Sequence, residues 1–355
     1  MKKITLKTIG IDVSFKTLDI CFGQVDSERN QELSAPFTVS NNLSGFKKLL
    51  KKIKNISLPG IEILAVMEAT GIYHENLAYY LKEQSIDVAI VLPTLMSNYM
   101  KSLSLKQLDD KSCSRAIAQF GLERKLEHWS APDPNFRKLR DLTRERSQIV
   151  DERTIVKNKL HASNNKANTH NPSIKRIKER VKLLNKQEKE INIEIQQLVS
   201  SIEDIKNNVQ IIESIPGMGL ISAATVLAET NNFDLIRNKK QLTSYAGLDV
   251  VHKTSGTSIN TKNRISKKGN KFLRKSMHFP ALSAVRVNPI YKDKYIAITA
   301  RTGLKMKGLV AVQRKMLELC YSLVKKQQHY IKDYEKSRAQ KLDPTQDRLN
   351  LPLAG

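Results

Sequence analysis

Apolar positions change their period repeatedly along this chain. From Thr5 to Phe22 they alternate with polar ones and are rich in Ile, Val and Phe, which predicts two short strands around a turn at Ser14–Lys16. Residues 38–54 switch to a helical period behind a cap-like Ser40/Asn41. IEILAVM at 61–67 is a continuous apolar run and predicts a buried central strand. A helix over roughly Tyr73–Gln84 and a further strand, DVAIVL at 87–92, follow it. Strands and helices in this order predict an α/β domain over residues 1–128.

The pattern over residues 129–208 is different. Charged residues are dense, glycine is absent, and apolar residues recur at three- and four-residue steps: Leu139, Leu142 and Ile149, then Leu184, Ile191, Ile195, Leu198 and Ile202. Two long helices are predicted, broken near Ala162–Pro172, as an antiparallel hairpin or coiled coil serving as a spacer or dimerisation arm. Residues 209–332 are expected to form a mostly α C-terminal domain with IPGMG at 215–219, a turn-rich stretch near 246–270 and helices to about 328. The polar segment 333–355 is expected to be a flexible tail.

Composition narrows the partners. Sixty Lys and Arg oppose 35 Asp and Glu, a formal net charge of +25. Such a charge repels itself in a compact fold unless a polyanion partner is present, and nucleic acid is the first candidate. A membrane surface is the rival, but no run of 18 apolar residues, signal peptide or lipidation motif is found. Cys21, Cys113 and Cys320 are odd in number and far apart. They suggest neither a disulfide framework nor a zinc site, and a reducing cytoplasm is expected.

Against this basic background, acids within apolar strands need a reason. Asp12 lies in IGIDVS and Glu68 closes LAVMEATG, both near the C-terminal ends of apolar strands; Asp109 and Asp110 precede the helix-like KSCSRAIAQFG. Carboxylates from different elements that converge on one point are what a Mg²⁺ site requires, and two such ions can clamp both oxygens of a phosphodiester exchange. The bland alternative is that Asp12 caps a turn and Glu68 is a surface acid.

Two features stand out in the C-terminal part. Gly217 and Gly219 open an Ala-rich helix whose free N–H groups suit a phosphate, like one half of a helix-hairpin-helix clamp, although a tight turn reads the same way. Ser255 sits in a Thr-Ser-Gly loop followed by Lys262, Arg264, Lys267, Lys268, Lys271, Arg274 and Lys275. Those cations suit phosphates and a developing pentavalent transition state. On chemistry alone Thr254 and Ser258 are equal candidates, and His252 is close by in sequence.

Five segments in order then carry a family resemblance: GIDVS (10–14), MEATGIYHENLAYYL (67–81), DDKSCSRAIAQFGLERKL (109–126), SIPGMGLISAATVLAE (214–229) and AGLDVVHKTSGTS…ISKKGNKFLRKSM (246–277). The chain resembles the insertion-sequence 110/1111-type transposases, whose DEDD domain is similar to RuvC, an RNase H-like fold, and is paired with a serine-bearing domain. The resemblance implies that Asp12, Glu68 and Asp110 are the first three acids, holding Mg²⁺ (or Mn²⁺). It also implies that Ser255 is the nucleophile forming a phosphoserine bond to DNA. The fourth acid is expected at position 113, where this chain has Cys113; either Asp109 substitutes, or Ser114 or water completes the shell, or metal binding is weakened. Donor and target DNA, a structured guide (bridge) RNA and a homo-oligomer, dimer or tetramer, are the implied partners. A nucleoid-associated prokaryotic protein is the implied setting. The alternatives are a RuvC-like metal-dependent nuclease or junction resolvase without strand transfer, and a decayed nucleic-acid-binding protein.

Overall fold

The computed structural model describes residues 3–69, 71–103, 109–168, 170–234, 236–251, 254–255, 259–260 and 264–332. The chain forms two compact units, residues 1–131 and 132–355.

In the first unit a hairpin of β1 (Ile4–Val13) and β2 (Thr17–Asp26) is extended at its outer edge by β3 (Gln31–Leu33) and β4 (Phe37–Ser40), both paired with β2. Helix α1 (Leu43–Ile56) leads to β5 (Glu62–Glu68), α2 (Glu75–Glu83), β6 (Asp87–Val91), α3 (Pro93–Ser102) and α4 (Asp110–Glu123). The sheet order is β3-β2-β1-β5-β6, with β4 beside β2; β1 and β2 are antiparallel, whereas β1, β5 and β6 run parallel. A mixed sheet with antiparallel strands on one side and crossover-connected parallel strands on the other agrees with the expected α/β class. The two predicted strands are longer than expected, each ten residues. The predicted helix starts later, because residues 37–40 pair as an edge strand and Asn42, not Ser40 or Asn41, caps α1 by accepting from the Gly45 N–H.

Strand alternation divides this sheet into two faces. Ile9, Ile11, Val13, Leu18, Ile20, Ala65, Met67 and Val88 pack with Phe46, Leu49 and Ile53 of α1 and Leu77, Ala78 and Leu81 of α2. On the other face Leu64, Val66, Ala89 and Val91 pack with Met96 and Tyr99 of α3 and Ile117 and Phe120 of α4. At about 25 cal/mol per Å² of buried apolar surface, these two layers supply most of the driving force for the unit.

The second unit opens with α5 (Pro134–Asn164) and α6 (Asn171–Ser201), broken where the sequence predicts. Leu142, Ile149 and Val156 on α5, and Ile177, Leu184 and Ile191 on α6, are buried at seven-residue intervals. Arg146 pairs with Glu188 and Asn192, and Arg153 with Asn185 and Glu188. The opposite progression of these numbers makes the helices antiparallel. There follow α7 (Glu203–Glu213), α8 (Leu220–Thr230), α9 (Lys239–Tyr245), the two-residue strands β7 (Val250–Val251), β8 (Thr254–Ser255), β9 (Ile259–Asn260) and β10 (Arg264–Ile265), then α10 (Lys271–Ser276), α11 (His278–Val287), α12 (Pro289–Thr302) and α13 (Lys305–Lys326). One hydrophobic core runs from Phe136 on α5 to Val324 on α13, so no break in packing falls at residue 208 between hairpin and C-terminal helices. Among the described residues no helix is long and apolar enough to cross a membrane.

Candidate active site

The acids of the first unit are brought together by parity. Asp12 has the same parity as Thr8 and Gly10, so all three face α4. The Thr8 hydroxyl donates to the Ala118 carbonyl at 2.9 Å. A Cβ on Gly10 would stand 2.2 Å from both the Ala118 nitrogen and the Ser114 oxygen, so only glycine lets the helix lie this close. As the strand advances through residues 8, 10 and 12, the facing helix retreats from Ala118 through Ser114 towards its first turn. Asp12 therefore meets the turn that carries Asp110 and Cys113. Glu68 shares a face with Leu64 and Val66 and stands one step beyond the last β1–β5 pair, Ile11 with Met67. It reaches the same end of the same face. Asp19, which the sequence reading did not single out, is directly opposite Asp12 on β2. It is buried and accepts from the Thr38 hydroxyl at 2.5 Å. The mirrored spacing of Asp12 and Asp19 about the turn at Ser14–Thr17 was the available signal.

Electrostatics record this convergence. Burial, then the negative charges of Asp110, Glu68 and Asp19, push the Asp12 carboxyl up to about 6. Burial, then Asp12, Asp110, Glu68 and Asp109, push the Cys113 thiol up to about 11. Cys113 is therefore held as a neutral thiol, 3.9 Å from the Met100 sulfur, where the resemblance expects an acid. Asp109 is engaged elsewhere. It is the N-cap of α4, accepting from the Ser112 N–H at 2.7 Å in a reciprocal capping box, and that bond holds its pKa down. The Ser114 hydroxyl donates to the Lys111 carbonyl.

The carboxylates fit a hard divalent cation in donor type and in charge, since a cation would relieve the repulsion that Asp12 feels. Among the described residues no three His, Cys, Asp or Glu side chains are gathered tightly enough to hold an ion.

In the second unit Ser255 lies on a narrow ribbon. Its backbone pairs with Ile259, Thr254 pairs with Asn260, and β7 and β10 pair below them. The side chains of residues 252–263, with Lys262, His252 and Ser258, lie outside the described residues. The ribbon base is firmly tied. The Lys267 N–H donates to the Gly247 carbonyl, Ser266 N–H to Asp249, and Asn270 N–H to Tyr245. Asn270 also caps α10 and donates its amide to Glu229 Oε2 at 2.6 Å.

Glu229, on α8, has a fully buried side chain. Arg144 of α5 bonds both its oxygens, at 2.6 and 2.7 Å, and stacks its guanidinium 4.8 Å from the Phe272 ring centre. One buried carboxylate thus joins the long hairpin, α8 and the foot of the serine ribbon. Sequence reading missed this network; an acid enclosed by SAATVLA and a threonine was its signal.

The expected phosphate-binding groups divide into two kinds. Gly217 has φ +93°, and a Cβ there would lie 2.6 Å from the Pro280 oxygen, so this glycine serves the packing of α11. Gly219, the N-cap of α8, has open space around it and offers no capping side chain of its own, while the Glu213 carboxylate faces the backbone of Leu220 at the start of the helix. Arg274 donates to the Ala246 carbonyl at 2.7 Å and is a tie of the ribbon base. Arg264, Lys267, Lys268 and Lys271 are exposed. Lys275 is paired with Asp151.

Two family models match the chain. Residues 9–163 match the DEDD transposase domain of IS110, and residues 209–296 match "Transposase IS116/IS110/IS902 family". The chain is 26% identical over 334 residues to the pilin gene-inverting proteins of Moraxella bovis and Moraxella lacunata, covering 91% of this chain and 97% of each relative. It is also 26% identical over 115 residues to an uncharacterised insertion element IS110 protein of Streptomyces coelicolor, covering 32% of this chain and 28% of that one. Among solved structures, Thermus thermophilus RuvC is similar over 35% of this chain and 99% of its own, at 12% identity and a TM-score of 0.28. With the DEDD transposase model over residues 9–163 and the IS116/IS110/IS902 transposase model over residues 209–296, and with relatives aligned over nearly its full length, the chain belongs to the IS110 family of transposases.

Proposed function

We propose that this transposase cuts and rejoins DNA through a phosphoserine intermediate at Ser255, with Asp12, Glu68 and Asp110 holding Mg²⁺ or Mn²⁺ in an RNase H-like, RuvC-like domain. The carrying observation is the shared field of the acids, which raises the Asp12 carboxyl to about 6. In a chain of net charge +25 that field is kept against the general trend.

A bound divalent ion supplies charge stabilisation at the phosphate oxygens. Asp12, Glu68 and Asp110 orient that charge. The Ser255 hydroxyl attacks a DNA phosphorus: the Oγ–P bond forms and the P–O3′ bond breaks. The serine proton passes to a base, and the leaving 3′ oxygen takes up a proton as a free hydroxyl. That hydroxyl can then attack a second phosphoserine linkage and release the serine, so rejoining needs no outside energy source. Arg264, Lys267, Lys268, Lys271 and the open N-terminus of α8 at Gly219 neutralise backbone phosphates.

We further assign the partners as donor and target DNA, a structured guide RNA that reads sequence by pairing, and further copies of the chain assembled through the α5–α6 arm. The names of the Moraxella relatives favour a second outcome of the same chemistry, inversion of a DNA segment.

Incubation of the protein with its element's non-coding RNA, end-bearing DNA and Mg²⁺ is expected to give a denaturant-resistant protein–DNA adduct. The adduct is lost in Ser255→Ala and in Asp12→Asn. Cleavage that survives Ser255→Ala returns the reading to a metal-dependent nuclease.

A further inference from the structure

Strands β1, β5 and β6 are parallel, so the residues that follow them gather at one edge of the sheet, beside Asp12 and Glu68. Ligands of open α/β sheets are held at this edge. Here it is apolar and open to solvent: Phe15 is 67% exposed, Ile72 73%, Tyr73 44%, Leu92 67% and Leu95 48%. Phe15 is three residues beyond Asp12, and Tyr73 five beyond Glu68. Their rings meet at a centroid distance of 5.4 Å and an interplanar angle of 58°.

The pair is held in place. Ser14 and Thr17 close a tight turn that turns Phe15 outward. The Asn41 amide donates both to the Ser14 carbonyl at 2.8 Å and to the Tyr73 carbonyl at 3.2 Å, joining the two loops. His74, the residue after Tyr73, is buried. Lys16, next to Phe15, is exposed.

We propose that Phe15 and Tyr73 form a stacking platform for one unstacked DNA base next to the phosphate held by the acids. This inference rests on the proposed metal-site reading for its location. An aromatic face accepts any base, and a rigid exposed ring loses little freedom on binding. Where the DNA is kinked or opened near the reacting bond, an apolar wedge supports the base so released. The platform gives sequence-independent affinity that does not depend on salt, unlike the basic surface. The first unit is nearly balanced in charge, with 17 Lys and Arg against 14 Asp and Glu over residues 1–131; the position of the rings beside the acids proposed to hold a DNA phosphate favours DNA over a second copy of this chain as the occupant.

The test uses full-length protein and a splayed-arm DNA duplex with 5-iododeoxyuridine in one single-stranded arm, without divalent metal. Photocrosslinking should place the adduct on the peptide of Phe15 or of Tyr73. The double variant Phe15→Leu, Tyr73→Leu should bind the arm about tenfold more weakly, with an unchanged salt slope. The double variant Phe15→Trp, Tyr73→Trp, which keeps both aromatic faces, should bind like the parent. Both rings are exposed, so melting curves of the variants should match the parent. Crosslinks elsewhere with unchanged affinity would overturn the platform. So would a change in sedimentation mass without a change in DNA binding, which would make the surface a seat for a second copy. Neither readout needs strand cleavage, so failure of the Ser255 adduct leaves this result standing.

Discussion

Two carboxylates inside apolar frameworks, Asp12 and Glu229, are treated in opposite ways. Asp12 faces other acids, and its pKa is driven up to about 6. Glu229 is more deeply buried, yet both its oxygens are occupied by Arg144 and one also by Asn270. A buried charge without compensation is costly, and a compensated one is a structural joint whose removal is costly. On the proposed function, the contrast separates an acid kept for an arriving cation from one kept for the protein itself.

Breaking the joint should have the largest effect. Arg144→Met leaves a buried carboxylate without its counter-charge, held only by the Asn270 amide, and should cost about 3–5 kcal/mol in urea unfolding of the second unit. The double variant Arg144→Met, Glu229→Leu should recover most of that, and a double-mutant cycle checks it. A loss below about 1 kcal/mol in the single variant would reduce Glu229 to an ordinary ion pair.

Gly10→Ala comes next. Its methyl would press on the α4 backbone and should cost about 1–3 kcal/mol. The acid site should open as α4 shifts, seen as an Asp12 carboxyl titration that moves back towards 4 by NMR.

Asp12→Asn should act in the other direction. The folded pKa of about 6 lies above the ordinary aspartate value of 3.8, so the folded form binds more protons between those limits. Metal-free stability should therefore fall as pH rises from about 4 through 6, with the full cost present above 6. After allowance for partial solvent screening, Asn should raise stability at pH 7.5 by about 1–2 kcal/mol. It should flatten the pH profile and abolish the rise in Tm that the metal assignment predicts for the parent in millimolar Mg²⁺. A parent that ignores Mg²⁺ would sink the metal assignment.

The smallest effect on stability, within about 0.5 kcal/mol, belongs to Arg264, Lys267 and Lys268 changed to Gln. Their effect should appear in DNA binding, with a salt slope shallower by about 2–3 on the logarithmic scale.

What could be read from the sequence follows from how local each signal is. The alternating β1–β2 hairpin, the apolar run of β5 and the break between α5 and α6 are written in single segments. Asp12 and Glu68 stood out because each is an acid set in its own apolar run. The short β3 and β4 carry too few apolar residues to show a period. The sequence reading also passed over α3, whose PTLMSNYMKS mixes both kinds of residue. Asp19 needed the hairpin register to be seen opposite Asp12, and Glu229 needed residues 85 and 41 positions away along the chain. The roles of Gly217 and Arg274, read as phosphate-binding, depend on α11 and Ala246, neighbours that only the folded chain supplies.

The ribbon that carries Ser255 is fastened at its foot by Gly247–Lys267, Asp249–Ser266 and Tyr245–Asn270. What lies between these fastenings behaves as a cassette. The entropy of closing such a loop grows only with the logarithm of its length, about 0.6 kcal/mol per doubling. Lengthening, shortening or exchanging the segment between Asp249 and Ser266 should therefore leave the helical chassis standing, so evolution can retune the tip without rebuilding what holds it.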